Sequence, residues 1–396
     1  MVNKINCDLL DKGKVRCLTV DKQYIPLSDG VEKIIDYRGK TPRKLGSDWT
    51  KTGIRAISAK NVHNGVLDNI DSIRCVSEEI SEKWMKDKIQ RNDIFIASEG
   101  ASMGESLIWE SDEQIVLGQR LFAVRANTLV FNPFYLAMYM RTPEYQTELE
   151  NHCTGTSVMG LSQPGLLRTK IRYIPIERQN FIGEMYQNIC NKIAVNSAIN
   201  RNLEEQAFVL FDSYFPSVMN GESKIGDYIT PKRGKNLLSK DAIPGDVPVV
   251  AGGLSPSTYH NEPNTVGPVL TISASGANAG YVGLWNQSVW SSDSSYIDSR
   301  MTNDVYFWYV MLKKRQKEIF DSQTGSAQPH IYPKHIEGMS VINLDKSTIE
   351  DYTKEITPMF RMIGANKQEN VRMAELRDSL LPKLMSGELD VSELDI

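Results

Sequence analysis

The chain has 396 residues, 41% apolar and 24% charged, with a formal net charge of −4. A chain of that length and balance buries a substantial core in two or more domains, which excludes a disordered or collagen-like polymer. The acidic balance also excludes a uniformly basic nucleic-acid coat, although net charge averages over regions that differ.

The opening MVNKINCDLL lacks the apolar core of a signal peptide. No later run approaches the roughly 20 apolar residues of a membrane span, Phe134 to Met140 being among the longest. A cytoplasmic location without membrane contact is expected. The five cysteines (Cys7, Cys17, Cys75, Cys153, Cys190) form no C-x-x-C pair, so reduced thiols are expected in place of a zinc ribbon or disulfide framework. His330 and His335 do not fall in an H-E-x-x-H arrangement, and no metal site is expected.

Residues 31 to 60 hold eight Lys/Arg against three acids, and residues 224 to 240 hold five against Asp227 alone. Each of these basic stretches carries the same tripeptide, Arg38-Gly39-Lys40 and Arg233-Gly234-Lys235, 195 positions apart. Next in order, "IASEGASMG" from Ile96 matches "ISASGANAG" from Ile272 at an offset of 176. "TGTSVMGLSQP" from Thr154 matches "TGSAQP" from Thr324 across a five-residue gap, and Asp212-Ser213-x-x-Pro216 matches Asp378-Ser379-x-x-Pro382 at an offset of 166. Four matches in one order mark a duplication of a mixed unit followed by a helix. The first copy is about 19 residues longer between its tripeptide and its glycine loop, where loops that differ in their contacts are expected.

The glycine loops lack the Lys-Ser/Thr of a P-loop, and G-A-N-A-G is not G-x-G-x-x-G. They read as tight connections that only glycine permits. Around them, Asp93 to Ala97, Gln114 to Val124, Pro268 to Ser273 and Ser288 to Ile297 read as strands bounded by turn residues. The segments that follow have helical spacing. Ile182, Met185, Ile189, Lys192, Asn196, Ile199, Leu203, Gln206 and Leu210 form one heptad-like seam. Ile349, Tyr352, Ile356, Met359, Ile363, Asn366, Asn370, Met373, Arg377 and Leu380 form another, with Pro358 expected to bend or restart that helix. Asparagines in both seams suit two long helices that pair and fix register at some cost in stability.

Two enzymatic signals are weak. Asn132-Pro133-Phe134-Tyr135 lacks the second proline of an N-P-P-[FY] methyltransferase element and reads better as a helix start. Asp212 followed by Glu222-Ser223-Lys224 has a metal-nuclease order, but the duplicate carries Glu388-Leu389-Asp390 there and loses the lysine.

R-G-K-T-P from Arg38, "GIRAISAKNVHNG" at 53–65, "ISASGANAGYVGLW" at 272–285, "TGSAQP" before a helix and the closing "LRDSLLPKLMSGELD" at 376–390 together resemble the specificity subunit of type I restriction-modification systems. The resemblance implies an α+β chain, with two duplicated target recognition domains of twisted β-sheet and helices separated by two long helices in an antiparallel coiled coil. The expected segments are a first recognition domain at 1–175, a first spacer helix at 176–216, a second recognition domain at 217–344, and a second helix with C-terminal tail at 345–396. It further implies a non-catalytic subunit that specifies a split site on double-stranded DNA. Its expected partners are two modification (methyltransferase) subunits and restriction (motor nuclease) subunits. S-adenosylmethionine and ATP are expected on those partners, and no cofactor on this chain. A protein-interaction scaffold that binds something other than DNA is the rival reading.

Base readers must be bidentate or charged side chains carried into a groove. Candidates are Lys60, Asn61, His63 and Asn64 in the first copy. In the second they are Ser257, Tyr259, His260 and Asn261, within the "AGGLSPSTYHNE" at 251–262 that stands in place of A-K-N-V-H-N-G. Arg38, Lys40, Arg233 and Lys235 are expected on phosphates, where they orient the protein without reading sequence.

Overall fold

The computed structural model describes residues 23–155, 159–325, 328–386 and 388–389. Cys7, Cys17, the interiors of both T-G to Q-P elements and the end of the C-terminal tail lie outside the described residues. The chain divides into two compact units, Met1–Cys190 with Leu376–Ile396, and Asn191–Glu375.

The first unit is built on a four-stranded antiparallel sheet in the order β2 (Val31–Asp36), β10 (Leu121–Ala126), β7 (Ile94–Ala97), β8 (Ser106–Ile108). Beside it stands a three-stranded sheet in the order β6 (Arg74–Val76), β3 (Ile54–Ile57), β9 (Ile115–Leu117), in which β3 and β9 are parallel. β1 (Tyr24–Pro26) with β13 (Lys170–Arg172), β4 (Val62–His63) with β5 (Val66–Leu67), and β11 (Cys153–Thr154) with β12 (Gly160–Leu161) form two-stranded ribbons. The helices here are α1 (Glu78–Trp84), α2 (Pro133–Tyr139), α3 (Pro143–Glu150) and α4 (Gln163–Arg168).

The central strand β7 explains its own sequence. Side chains alternate across a strand, so Ile94 and Ile96 enter a core with α2, whereas Phe95 and Ala97 enter a second core with β3 and β9. Burial on both faces requires the unbroken apolar run I-F-I-A. The start of α2 is equally legible. Asn132 caps it, its Oδ1 accepting the Phe134 and Tyr135 amides at 2.9 and 3.2 Å, with Pro133 at the first helical position.

The second unit repeats this plan. β15 (Lys232–Arg233), β21 (Ser294–Asp298), β18 (Val269–Ser273) and β19 (Val282–Trp285) lie in the same four-stranded order. β17 (Thr258–His260), β16 (Val247–Val250) and β20 (Trp290–Ser291) form the three-stranded sheet, again with one parallel pair. β14 (Ser223–Lys224) pairs with β22 (Ser340–Val341) as β1 does with β13. α6 (Val305–Lys314), α7 (Gln316–Asp321) and α8 (Pro333–Glu337) complete the unit.

The single strands expected over Gln114 to Val124 and Ser288 to Ile297 each resolve into two, β9 then β10 and β20 then β21. The chain crosses between sheets there, at a left-handed Arg120 (φ +65°) in the first copy. The glycine loops are hairpin turns. Gly100 and Gly104 both have φ +84°, and Gly276 and Gly280 have +82° and +87°. The amides of Gly104 and Gly280 donate back to Ala97 and Ser273 at 3.0 and 2.7 Å.

Pairing register corrects one sequence match. With the glycine loops superposed at offset 176, Phe122 corresponds to Ser295, and their partners Asp36 and Arg233 therefore correspond. The two R-G-K tripeptides are two residues out of step, and Arg38 stands where Lys235 does.

Two long helices, α5 (Ile176–Tyr214) and α9 (Lys346–Ser386), contribute residues to both units. In the second unit they run antiparallel. Asn196 Nδ2 donates to Asn370 Oδ1 at 2.9 Å, Asn366 Nδ2 to Asn200 Oδ1 at 2.8 Å, and Tyr352 Oη to the Ala207 carbonyl at 2.8 Å. In the first unit Ile182 and Tyr186 share a core with Leu384 and Met385. The α9 seam follows the expected spacing. On α5, Asn200 and Ala207 replace the expected Ile199 and Gln206 beyond Asn196, Ile199 is exposed, and Phe211 joins the expected Leu210 at the core. α9 continues through Pro358 without a break, because Pro358 and Lys354, whose carbonyl loses its donor, both face solvent.

Candidate nucleic-acid interface

In the first unit the turn after β2, the glycine loop, strand β6 and the crossing between β9 and β10 surround a cleft of about 800 Å³. Lys40, Arg43, Lys60, Arg74 and Arg120 line it, with Glu99 as the opposing acid. Trp49 and Trp84 form part of its floor, their rings 6.0 Å apart. Trp84 is buried, and among the described residues its indole Nε1 has no hydrogen-bond partner.

Each cation is held differently. Lys40 Nζ donates to the Trp84 carbonyl at 2.6 Å and lies 4.9 Å from the Tyr37 ring. Tyr37 Oη in turn donates to Asp87, whose carboxyl Lys33 holds below the usual carboxylate range. Lys60 Nζ donates to the Ser72 carbonyl at 3.3 Å, and Arg120 lies 3.4 Å from Glu99. Arg74 stacks with its guanidinium carbon 3.9 Å from the centre of the Trp49 ring. Such a setting, a positive cleft with aromatic walls, suits a phosphate backbone and planar bases.

Of the candidate residues in this unit, Lys40 and Lys60 line the cleft, whereas Arg38, Asn61, His63 and Asn64 do not. Arg38 chelates Asp36 through Nε and Nη2 at 3.0 Å each, donates to the Leu161 carbonyl and lies over Phe122. Asn61 is buried, with its amide spent on Ser58, Asp68, Asn69 and Ser72. It shapes the loop and is not presented for base reading. His63 and Asn64 are exposed at the β4–β5 turn, where Asn64 (φ +49°) and Gly65 (φ +78°) supply the left-handed angles of a tight hairpin. That turn is tied to Glu105 and Arg141.

In the second unit Arg233 pairs with Asp293, and Lys235 is exposed, its Nζ 5.9 Å from the Trp290 ring. Ser257 and Asn261 are exposed, and Ser257 Oγ donates to the Val249 carbonyl at 3.2 Å. His260 is buried: its Nδ1 accepts the Ile243 amide at 3.0 Å and its ring meets Trp290 edge-on. It is a core residue and cannot reach a base without unfolding its strand. Tyr259 is 53% exposed and lines a separate cleft of about 1140 Å³ with Pro248, Trp285 and Lys367. That cleft is not the counterpart of the first. Arg74 pairs with Ala56 and Tyr259 with Pro248, adjacent positions in corresponding strands, so they face opposite sides of their sheets. Thr258 occupies the position of Arg74.

The suggested nuclease residues are engaged elsewhere, Asp212 with Lys314 and Lys224 with Ser340. Among the described residues no three His, Cys, Asp or Glu side chains gather as metal ligands, and no helix is long and apolar enough to cross a membrane.

No family model matches the sequence. The chain is 35% identical over 99 residues to the type I restriction enzyme MjaIX specificity subunit of Methanocaldococcus jannaschii, a match covering 25% of this chain and 23% of that protein. It is 25% identical over 170 residues to a putative type I specificity subunit of Mycoplasma pneumoniae, covering 41% and 45%. The matches thus span less than half the length of either relative. The crystal structure of the type I restriction-modification S subunit from M. genitalium superposes with a TM-score of 0.58 at 18% identity, over 93% of this chain and 98% of that one. In sequence over those stretches, and in fold over nearly all its length, this chain resembles the specificity subunits of type I restriction-modification systems.

Proposed function

We propose that the chain is the DNA-specificity subunit of a type I restriction-modification complex, each of its two modules reading one half of a bipartite target. The observation that carries this is the cleft that gathers five cations and two tryptophans on a module whose strand order recurs in the second unit. A duplicated reader suits a split site, and tethering makes the second contact intramolecular. In this reading the paired helices set the gap between half-sites and dock two methyltransferase subunits. The modules correspond to 1–175 and 217–344 and the spacers to 176–216 and 345–396. The chain performs no chemistry. Adenine methylation, with base flipping and S-adenosylmethionine, belongs to the modification subunits, and ATP-driven cleavage to restriction subunits.

Methylation mapping tests this. Cells carrying the chain with its modification subunit are expected to show a split methylated-adenine motif that disappears when the chain is deleted. Absence of any such motif, with an active modification subunit present, would favour a scaffold that binds something other than DNA.

A further inference from the structure

A side chain that reads guanine must keep its planar donors unspent, hold a fixed orientation and stand among the cations that grip the backbone. Most arginines of the first unit fail the first condition. Arg38, Arg55, Arg91 and Arg125 each chelate a carboxylate, Arg120 lies beside Glu99, and Arg141 donates to the Asn64 carbonyl. Arg74 meets all three. Its side chain is exposed at the edge of the three-stranded sheet, and among the described residues it makes no hydrogen bond or ion pair. Its guanidinium rests on Trp49, which is set beside β6 by the Thr50 amide donating to the Cys75 carbonyl at 2.9 Å. Trp49 is itself backed by Trp84. Arg43 is also exposed in the cleft, but among the described residues no aromatic ring lies under its guanidinium to fix its direction.

We infer that Arg74, held flat by Trp49, reads a guanine in the half-site recognised by the first unit, while Lys40, Arg43 and Lys60 contact phosphates around it. The inference rests on the DNA-recognition reading above and adds a position and a base to it. A guanidinium fixed in a plane presents two parallel N–H donors to O6 and N7 of guanine and loses little side-chain freedom on binding. Thr258, at the matching position of the second unit, has no such donor pair, so guanine reading from this strand position belongs to the first half-site alone.

The test is selection from a randomised duplex pool by the full chain together with its modification subunit. It compares the wild type with Arg74→Ala, Arg74→Gln and Lys60→Ala. The wild type is expected to enrich a bipartite motif with an invariant guanine in one half-site. Arg74→Ala loses that guanine alone, weakening the best site roughly ten- to hundredfold. Arg74→Gln shifts the position toward adenine, and Lys60→Ala weakens all sequences alike. An Arg74→Ala variant that keeps every guanine, or that weakens all sequences equally, would overturn the assignment while leaving the two-module reading intact. A wild-type motif without guanine in either half-site would do the same. If the wild type enriches no sequence, the recognition reading itself fails.

Discussion

The two modules share strand order, register and hairpin turns, yet differ in almost everything that their shared frame presents to solvent. The connection from β3 to β6 spans residues 58–73 and carries an extra ribbon and two short 3-10 turns; that from β16 to β17 spans only 251–257. Where the first module places Arg120 and Glu99 on its cleft, the second places Asp293 and Ser275. The second core layer differs as well, with Phe95, Trp109 and Leu121 in the first module against a small cluster of Val250, Val269 and Val289 in the second. Backbone pairing thus tolerates wide variation in the side chains it carries, which lets one scaffold present two unrelated surfaces.

The largest test of this contrast concerns a charge at the same place in both central sheets. Asp93, 1% exposed, binds Arg125 Nε and Nη2 at 2.9 and 2.8 Å across the first sheet. In the second module Val269 stands in for Asp93 and the buried Asp298 for Arg125, closed instead by the half-exposed Arg300. Asp93→Ala strands a partly buried guanidinium and is expected to cost about 3–5 kcal/mol. Asp298→Ala leaves Arg300 free to reach water and is expected to cost about 1–3 kcal/mol, mainly through the orphaned Val266 amide. Equilibrium urea unfolding of the full chain measures both, and equal losses would show that the two frames are stabilised alike.

A smaller effect is expected at the second glycine of each hairpin. A Cβ at Gly280 would lie 2.9 Å from Ile319 and 3.2 Å from Ile331, both packed in the core. A Cβ at Gly104 would first meet the end of the Gln146 side chain, which can swing aside. Gly280→Ala is therefore expected to cost about 2–4 kcal/mol, from left-handed strain plus overpacking. Gly104→Ala is expected to cost about 1–3 kcal/mol, from the same strain and the Gln146 hydrogen bonds. Thermal unfolding that ranks them in the reverse order would mean that the second module's core is the more yielding.

These glycines are also the part of the fold most legible from sequence. Left-handed turns and helical seams are local constraints, imposed on neighbouring residues by backbone geometry, and so the hairpins, the duplication and the α9 seam could be read directly. Features set by distant pairing could not. The slip of the R-G-K tripeptides depends on which residues Phe122 and Ser295 face. Trp49 reaches Arg74 only through the Thr50–Cys75 bridge. Asn61 and His260 have the chemistry of base readers, but hydrogen bonds with residues many positions away draw them inward. On the cleft, residue type picked out Lys40 and Lys60; tertiary contact added Arg74.

The smallest expected effect is a pH slope carried by one module and missing from the other. Glu110, just beyond β8, corresponds to Asn286, just beyond β19. Asn286 is neutral and accepts the Tyr306 hydroxyl at 2.8 Å. Burial raises the Glu110 carboxyl above its ordinary value, against the opposing effects of a Gln187 hydrogen bond and of Arg91. A carboxyl whose folded pKa is raised binds more protons in the native state than in the unfolded chain. Its contribution therefore falls as pH rises from the ordinary glutamate range through the folded pKa, and is constant above it. Glu110→Gln keeps the shape and removes the titration. Relative to the wild type, the variant should gain stability as pH rises through that window and hold the gain at higher pH. Because every other titrating group is common to both proteins, the difference between their urea midpoints isolates this one. A difference that stays flat from pH 4 to pH 8 would mean that Gln187 and Arg91 offset the burial completely, leaving the two modules alike in this respect.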